Sequence, residues 1–290
     1  MANLSFKNNI SELADSYDYF ILDIWGVLHD GSKTYPGAIE ALKNLKLKKK
    51  KVYLLSNAPR RSKNAIRVLE NLGINSDLYE DIITSGEAVF MNLLDSQNNN
   101  FNHYGKNYYY IGPDKDLDLL DDLNYNKVGS ALDADFALVT GFDDFDSVMD
   151  EKLNILKECK DHNLKLICVN PDLIVIKQTG QEILCAGIIA QQYKDLGGEV
   201  IYFGKPYTAI YDLIFSLANI SDKSQVIAIG DGIETDIRGA NNIKIDSALI
   251  PGGILSNKLS INHGELPKEI EMKKLCKDYN IYPKFILAKL

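Results

Sequence analysis

The chain has 290 residues, of which 46% are hydrophobic and 25% are charged, and its net charge is −8 at pH 7. This composition is that of a globular protein with one large domain or two smaller ones. The acidic balance argues against nucleic acid or an anionic membrane as the main partner, because both attract broad basic surfaces. No stretch predicts a membrane span and no signal-peptide pattern opens the chain, so we expect a cytoplasmic protein.

Short apolar strands alternate with amphipathic helices along most of the chain, which predicts an α/β fold with a parallel sheet. The first third has predicted strands over 19–23, 51–55 and 82–83. The helices that follow them begin near Pro36, Pro59 and Thr84. Proline suits a first helical turn, and Thr84-Ser85-Gly86-Glu87 fits a capping box.

A second set of elements follows an asparagine-rich segment, 97–106, which predicts a surface loop. Predicted strands lie over 107–112, 136–140, 165–169 and 173–177, with helices over about 114–122, 145–161 and 186–196. Strands over 200–203 and 225–229 then resume the first pattern. We therefore predict a Rossmann-like core from residues 1–84 and 200–290, interrupted by an α/β domain over 85–199.

Two buried strands of the predicted core end in carboxylates. One strand ends in Asp23, and the strand over 225–229 runs into Gly230-Asp231-Gly232-Ile233-Glu234-Thr235-Asp236. A charge at the end of an apolar strand is costly unless something neutralises it. Because the carboxyl ends of parallel strands face one crevice, we expect Asp23, Asp231 and Asp236 to meet there. Oxygen ligands of this kind predict a Mg2+ site.

Polar residues follow two further strands, with Ser56-Asn57 after one and Lys205 after the other. A Ser-Asn pair is common in loops and a Lys-Pro pair is common at helix starts. Their combination with the carboxylates, however, predicts a phosphoryl-transfer site. Asp23 is the predicted nucleophile, which would form an aspartyl-phosphate. Ser56 and the backbone at Asn57 would donate to phosphate oxygens, and Lys205 would offset the negative charge.

The predicted metal ligands are Asp23, Asp231 and the backbone carbonyl of Trp25. Asp236 is predicted to orient the groups around it, including Lys205, rather than to bind the metal directly.

These motifs resemble those of the haloacid dehalogenase-like (HAD) hydrolases, whose four motifs match Asp23, Ser56, Lys205 and Asp231/Asp236. Gly204-Lys205-Pro206 and the large insert between the second and third motifs resemble class IIA. That branch contains sugar-phosphate, p-nitrophenyl-phosphate and pyridoxal-phosphate phosphatases. The segment Asp-x-Trp-Gly-Val-Leu-His-Asp-Gly is similar to that of a bacterial subgroup of class IIA. The resemblance implies a Mg2+-dependent hydrolase of small phosphorylated metabolites.

The resemblance also implies that the insert is a cap domain that closes over the substrate. Val169-Asn170-Pro171-Asp172 resembles the cap segment that faces the active site in the family, so Asn170 and Asp172 are the expected substrate contacts. Relatives often pair through their caps, which implies a homodimer. Alternatively, the apolar segment Phe285–Leu287 fills a sheet edge.

One departure from the family pattern concerns the residue two positions after the nucleophile. Family phosphatases carry an aspartate there as general acid and base, whereas this chain has Trp25. Loss of a positioned acid typically costs about 10²- to 10⁴-fold in rate. Alkyl phosphates need that acid, whereas an acyl phosphate expels a carboxylate of pKa about 4 and does not. His29 or Asp30 could supply the proton, or could belong to the loop structure alone.

Two further functions remain open on the sequence. One is a metabolite-binding protein whose phosphatase site is silenced, which Trp25 favours and the retained Asp23, Lys205, Asp231 and Asp236 disfavour. The other is phosphorus–carbon bond cleavage on the same core. That reaction needs a cap lysine able to form an imine, and Lys165 and Lys177 lie in the insert.

Overall fold

The computed structural model describes residues 4–99, 104–143, 149–176 and 182–290. In chain order its strands are β1 (Ser5–Lys7), β2 (Tyr19–Asp23), β3 (Lys51–Ser56), β4 (Asp81–Thr84), β5 (Asn107–Ile111), β6 (Asn126–Val128), β7 (Phe136–Val139), β8 (Lys165–Cys168), β9 (Ile174–Ile176), β10 (Glu182–Leu184), β11 (Val200–Tyr202), β12 (Val226–Gly230), β13 (Asp246–Leu249) and β14 (Phe285–Leu287).

The helices are α1 (Ala38–Leu47), α2 (Ser62–Asn71), α3 (Ser85–Asn99), α4 (Asp150–Asp161), α5 (Ala186–Asp195), α6 (Thr208–Ala218), α7 (Arg238–Ile243), α8 (Ser256–Leu259) and α9 (Glu269–Tyr279). A π-helical turn, Ile233–Ile237, precedes α7, and the predicted helix over 114–122 is a 3-10 helix, Asp114–Leu120. Residues 97–99 of the predicted loop over 97–106 belong to α3 instead, and residues 100–103 lie outside the described ranges. Residues 145–148 of the predicted helix over 145–161 lie outside the described ranges.

The chain divides into two compact units. The first contains Met1–Ser56, Lys63–Ile83 and Lys205–Leu290, and the second contains Asn57–Ser62 and Thr84–Gly204. Within the described ranges, no helix combines the length and the apolar character needed to cross a membrane.

The first unit is built on a seven-stranded sheet with the order β1-β14-β13-β12-β2-β3-β4. The pairs β1–β14, β14–β13, β13–β12, β12–β2 and β2–β3 are all parallel. The predicted α/β fold with a Rossmann-like parallel-sheet core and an additional domain is confirmed. The expectation that Phe285–Leu287 fills a sheet edge is wrong, because β14 pairs with β1 on one side and β13 on the other.

Both faces of this sheet are covered by hydrophobic cores. Successive strand residues point to opposite sides, so neighbouring residues of one strand belong to different cores. Ala248 of β13 and Leu287 of β14 belong to a core that includes Leu42 of α1. Their neighbours Leu249 and Ile286 belong to a second core, with Met272 of α9. Because both faces of the sheet are buried, polar functional groups lie at the carboxyl ends of its strands.

The second unit has a five-stranded parallel sheet with the order β11-β8-β7-β5-β6. Its core joins strand residues such as Leu166 to Ala186, Ile189 and Tyr193 of α5. The predicted strand over 173–177 does not join this sheet. It forms β9, which pairs antiparallel with β10 in a separate two-stranded ribbon.

The segment Asn57–Ser62 belongs to the second unit, although the sequence-based boundaries place it in the core. The same holds for Thr84 and, because β11 pairs with β8 in the sheet of the second unit, for residues 200–204. Backbone bonds explain the placement of Asn57–Ser62, because Gly86 N–H donates to the Ala58 carbonyl (3.1 Å) and Thr84 Oγ1 to the Arg60 carbonyl (2.5 Å). The Arg61 guanidinium also donates two hydrogen bonds to Glu87, of 2.8 and 2.9 Å. Glu87 therefore binds this segment, and its N–H donates to Thr84 Oγ1, which is one of the two bonds of the predicted capping box.

Candidate active site

The first unit brings the predicted nucleophile and the predicted lysine together in its interior. Asp23 is the last residue of β2, and Lys205 lies just before α6. Lys205 Nζ donates to Asp23 Oδ1 at 2.5 Å, to Asp236 Oδ1 at 2.7 Å and to the Leu55 carbonyl at 3.3 Å. All three side chains are buried. The ammonium is therefore held in place by two carboxylates and a strand-end carbonyl.

Asp236 occupies a position that suits the orienting role predicted for it. One carboxylate oxygen accepts from Lys205, and the other accepts from Gly232 N–H at 3.1 Å and Thr235 Oγ1 at 3.3 Å. The π-helical turn Ile233–Ile237 supplies this geometry, because it returns Asp236 toward the end of β12. A carboxylate with both oxygens engaged is fixed in orientation.

Asp231 follows β12 and is enclosed by glycines. Its Oδ2 accepts from Ile254 N–H at 2.7 Å. A Cβ on Gly26 would lie 2.0 Å from that oxygen, and a Cβ on Gly253 would lie 2.1 Å from it. Gly26 also has φ +86°, a conformation that disfavours other residues. Two backbone segments therefore approach Asp231 more closely than any residue with a side chain would allow.

The cluster contains more negative than positive charge. Oxygens of Asp23, Asp231 and Asp236 lie within 4.8 Å of one another, and Lys205 is the ammonium that pairs with two of them. Burial acts to lower the pKa of Lys205, but the charges of Asp23 and Asp236 outweigh it and raise that pKa. The lysine therefore stays protonated.

The carboxylates respond in the opposite direction. Burial raises the pKa of Asp23 to about 7, although Lys205 opposes the shift. Burial, with the charges of Asp23 and Asp236, also raises the pKa of Asp231 well above its ordinary value. A divalent cation would remove this penalty, because it supplies the charge that one ammonium does not. The residues present therefore fit a bound metal ion with oxygen ligands.

The predicted phosphate-binding residues fall on both sides of the boundary between the units. Ser56 ends β3 in the first unit, and Asn57 begins the second. The Asn57 amide Nδ2 donates to Asp172 Oδ1 at 2.8 Å, and Ser85 Oγ donates to Asn57 Oδ1 at 3.3 Å. Asn170 Oδ1 accepts from Asp172 N–H at 3.1 Å. Asn57, Asn170 and Asp172 thus form one hydrogen-bonded group within the second unit.

The loop after the nucleophile packs tightly around Trp25 and His29. Their rings meet edge to face with centroids 5.5 Å apart, and a Cβ on Gly31 would lie 2.3 Å from the indole. Gly31 N–H donates to His29 Nδ1 at 2.9 Å, so Nδ1 carries no proton. Burial lowers the pKa of His29, although Asp30 opposes the shift. A neutral, buried imidazole fits a structural role in this loop better than proton donation.

Several groups at the site carry no motif that the sequence could have revealed. They are the Leu55 carbonyl, the Ile254 N–H and Tyr211, which is fully buried beside Gly239 with its hydroxyl unpaired among the described residues. Backbone groups and an aromatic residue in an apolar helix look the same in the sequence whether or not they line a site. Lys165, considered above for imine formation, pairs with Glu199 at 3.1 Å, and Lys177 lies outside the described residues.

Comparison with known proteins identifies the family. Residues 20–126 match the model of the haloacid dehalogenase-like hydrolases, and residues 202–273 match a second model of HAD-like hydrolases. A chloroplastic phosphoglycolate phosphatase 1A from Arabidopsis thaliana is 28% identical over 86% of this chain and 72% of its own. An acid sugar phosphatase from Staphylococcus epidermidis is 24% identical over 89% and 95% of the two chains.

A solved structure agrees with the sequence matches. A haloacid dehalogenase-like hydrolase from Brucella suis superimposes with a TM-score of 0.79 and 28% identity, covering 97% of this chain and 98% of that one. The two family models match the segments that carry Asp23, Ser56, Lys205, Asp231 and Asp236. The chain therefore belongs to the haloacid dehalogenase-like hydrolases, which confirms the family and the hydrolase class expected from its motifs.

Proposed function

We propose that this protein is a Mg2+-dependent phosphatase of small phosphorylated metabolites that works through an aspartyl-phosphate on Asp23. The observation that carries the proposal is the buried cluster of Asp23, Asp231 and Asp236 around Lys205. A buried carboxylate beside an ammonium at a strand end supports attack on phosphorus by that carboxylate. The phosphatase names of the Arabidopsis and Staphylococcus relatives support the reaction class.

Each side chain has a defined task in this reaction. Asp23, Asp231 and the Trp25 carbonyl would hold Mg2+, which would neutralise phosphate charge beside the nucleophile. Lys205 would balance the developing negative charge, and Asp236 would keep the ammonium in place. Ser56 and the backbone at Asn57 would donate to the phosphate oxygens. Residues 85–199, the predicted cap, would exclude water and select the substrate.

The position of Trp25 supports a second candidate function. Trp25 is 38% exposed, and its side chain offers no acid where the family carries one. A protein with this substitution could bind phosphorylated metabolites without turning them over. The retained Asp23–Lys205 pair favours catalysis, because simple binding does not require a nucleophile.

A substrate panel tests the proposed function. Phosphate release from acetyl phosphate, p-nitrophenyl phosphate and sugar phosphates should depend on Mg2+ and stop on chelation. We expect the highest kcat/KM for acetyl phosphate, because its leaving carboxylate needs no acid. If no substrate is hydrolysed with Mg2+, but metabolites bind, the second candidate replaces the first.

Asp231→Asn is expected to stabilise the metal-free protein at neutral pH and to abolish stabilisation by Mg2+. The amide keeps an acceptor for Ile254 N–H and removes a charge that is costly to bury, as the raised pKa of Asp231 indicates. Thermal unfolding with chelator should give a higher melting temperature than wild type, with about 2–4 °C for each kcal/mol gained.

The raised carboxyl pKa values also determine how the stability of the metal-free protein changes with pH. Between the ordinary carboxyl pKa of 3.8 and the raised value of about 7 for Asp23, the folded protein binds more protons than the unfolded chain. Metal-free wild type should therefore lose stability as pH rises through this range, and Asp231→Asn should lose less. Asp18→Asn, at the exposed opposite end of β2, is the matched control and should follow wild type. Identical pH profiles for wild type and Asp231→Asn would contradict the prediction.

A further inference from the structure

The side chain of Asn57 is held at both ends by residues of the second unit. Its Nδ2 donates to Asp172 Oδ1 at 2.8 Å, and its Oδ1 accepts from Ser85 Oγ at 3.3 Å. Asn57 is 5% exposed, and Ser85 is fully buried. A buried amide with a donor and an acceptor engaged has one orientation, and the hydrogen bond to a carboxylate is the stronger of the two.

Asp172 is itself fixed by its neighbours. Its N–H donates to Asn170 Oδ1 at 3.1 Å, and its carbonyl accepts from Gly187 N–H at 3.0 Å. A Cβ on Gly187 would lie 2.5 Å from that carbonyl oxygen, so the start of α5 packs directly on the turn. The backbone that carries this carboxylate is thus held in place, and displacing it would require moving the start of α5.

The same group of residues adjoins the site along the chain. Asn57 directly follows Ser56, and Gly204 directly precedes Lys205. A Cβ on Gly204 would lie 2.6 Å from Asn57 Oδ1 and 2.3 Å from Ser85 Oγ. Whatever orients the Asn57 amide therefore constrains the backbone on which the predicted phosphate donors lie, and the backbone next to Lys205.

We propose that Asp172 is a positioning residue that fixes the Ser56–Asn57 backbone through the Asn57 amide, so that this backbone is preorganised to receive phosphate. The inference rests on the proposed function and differs from the role expected from the sequence, in which Asp172 contacts the substrate. A positioning residue affects every phosphate ligand equally, whereas a substrate contact affects only ligands with a leaving group that reaches it.

Inorganic phosphate separates the two roles, because it has no leaving group. Calorimetric titration with phosphate in the presence of Mg2+ should show binding to Asp172→Ala at least about tenfold weaker than to wild type. Asp172→Asn keeps an acceptor oxygen for the Asn57 amide and should stay within about threefold of wild type. Asp195→Asn, on the exposed end of α5, is the matched control and should not change binding.

The outcomes are distinct. Wild-type affinity for phosphate in Asp172→Ala overturns the positioning role, and a loss confined to kcat/KM for large substrates assigns Asp172 to substrate contact. Equal losses in Asp172→Asn and Asp172→Ala also overturn it, because a charge effect alone would then explain both. A wild-type protein that binds no phosphate with Mg2+ overturns the proposed function, and the inference with it.

NMR of the Asn57 side-chain amide distinguishes the loss of this hydrogen bond from poor folding of the variant. The side-chain amide protons of Asn57 should resonate as a shifted, slowly exchanging NMR pair in wild type and Asp172→Asn. In Asp172→Ala this pair should move toward the random-coil position while the melting temperature stays close to that of Asp195→Asn. An Asn57→Ala, Asp172→Ala double variant should bind phosphate no more weakly than the weaker single variant. Additive losses would show that Asp172 does not act through Asn57.

Discussion

Replacing Asp23 by asparagine should lower Mg2+-dependent phosphate release by at least about 10³-fold on every substrate, because the amide cannot form the aspartyl-phosphate. The change is nearly isosteric, and Lys205 keeps its 2.7 Å bond to Asp236, so the fold should persist. The measurement is kcat/KM for acetyl phosphate and p-nitrophenyl phosphate. Mass spectrometry of the wild type, quenched during turnover, should show a phosphoryl group on Asp23 and none on the variant.

Asp18→Asn provides the matched control for this experiment. Asp18 adjoins the other end of the same strand and pairs with Lys50 on the surface at 2.9 Å. Its substitution makes the same change from carboxylate to amide. Its activity should equal that of wild type. Retention of more than about a tenth of wild-type activity by Asp23→Asn would exclude Asp23 as nucleophile and require another attacking group.

Replacing Trp25 by aspartate should raise kcat/KM on p-nitrophenyl phosphate and sugar phosphates by about 10²- to 10⁴-fold. The reason is that a carboxyl group at this position can protonate the leaving oxygen, which the indole cannot. Acetyl phosphate should gain little, because its leaving group needs no proton. The diagnostic quantity is therefore the ratio of kcat/KM values on alkyl and acyl phosphates, which cancels general losses of folded enzyme.

Trp25→Asn controls for the loss of the aromatic ring. The indole packs against His29 and Gly31, so any substitution here costs some stability and loosens the loop. Only the aspartate variant should recover alkyl-phosphate turnover. Equal activity of the aspartate and asparagine variants would refute the missing-acid explanation. Activity in Trp25→Asp alone, with none in wild type, would identify a silenced phosphatase that binds metabolites.

The sequence predicts the structural features that are set by residues close together in the chain. Apolar runs and helical periodicity predict the strands and helices of the α/β core, because each face of the sheet is buried. The meeting of Asp23 and Asp231 follows from their positions at the ends of β2 and β12, which pair in parallel. Strand-end carboxylates were thus predictable once the sheet was assigned.

The errors and omissions arise where contacts join distant segments. Phe285–Leu287 is apolar whether it lies at an edge or inside the sheet, and only pairing with β1 and β13 decides this. Asn57 and Asp172 are 115 residues apart, so no local pattern indicates that the amide bonds to this carboxylate. The donor to Asp231 is the backbone N–H of Ile254, and almost any residue at this position would supply the same group, so the sequence does not reveal it.

The sequence by itself determined which chemical groups this protein places at its strand ends, because residue type and strand periodicity are local properties. It therefore predicted the family, the α/β core and the identities of Asp23, Lys205, Asp231 and Asp236. Only the tertiary structure decided how those groups are oriented. The Asp236 oxygens, the glycines around Asp231 and the bond from Asn57 to Asp172 depend on segments that folding brings together, and such long-range contacts leave no periodic trace in the chain.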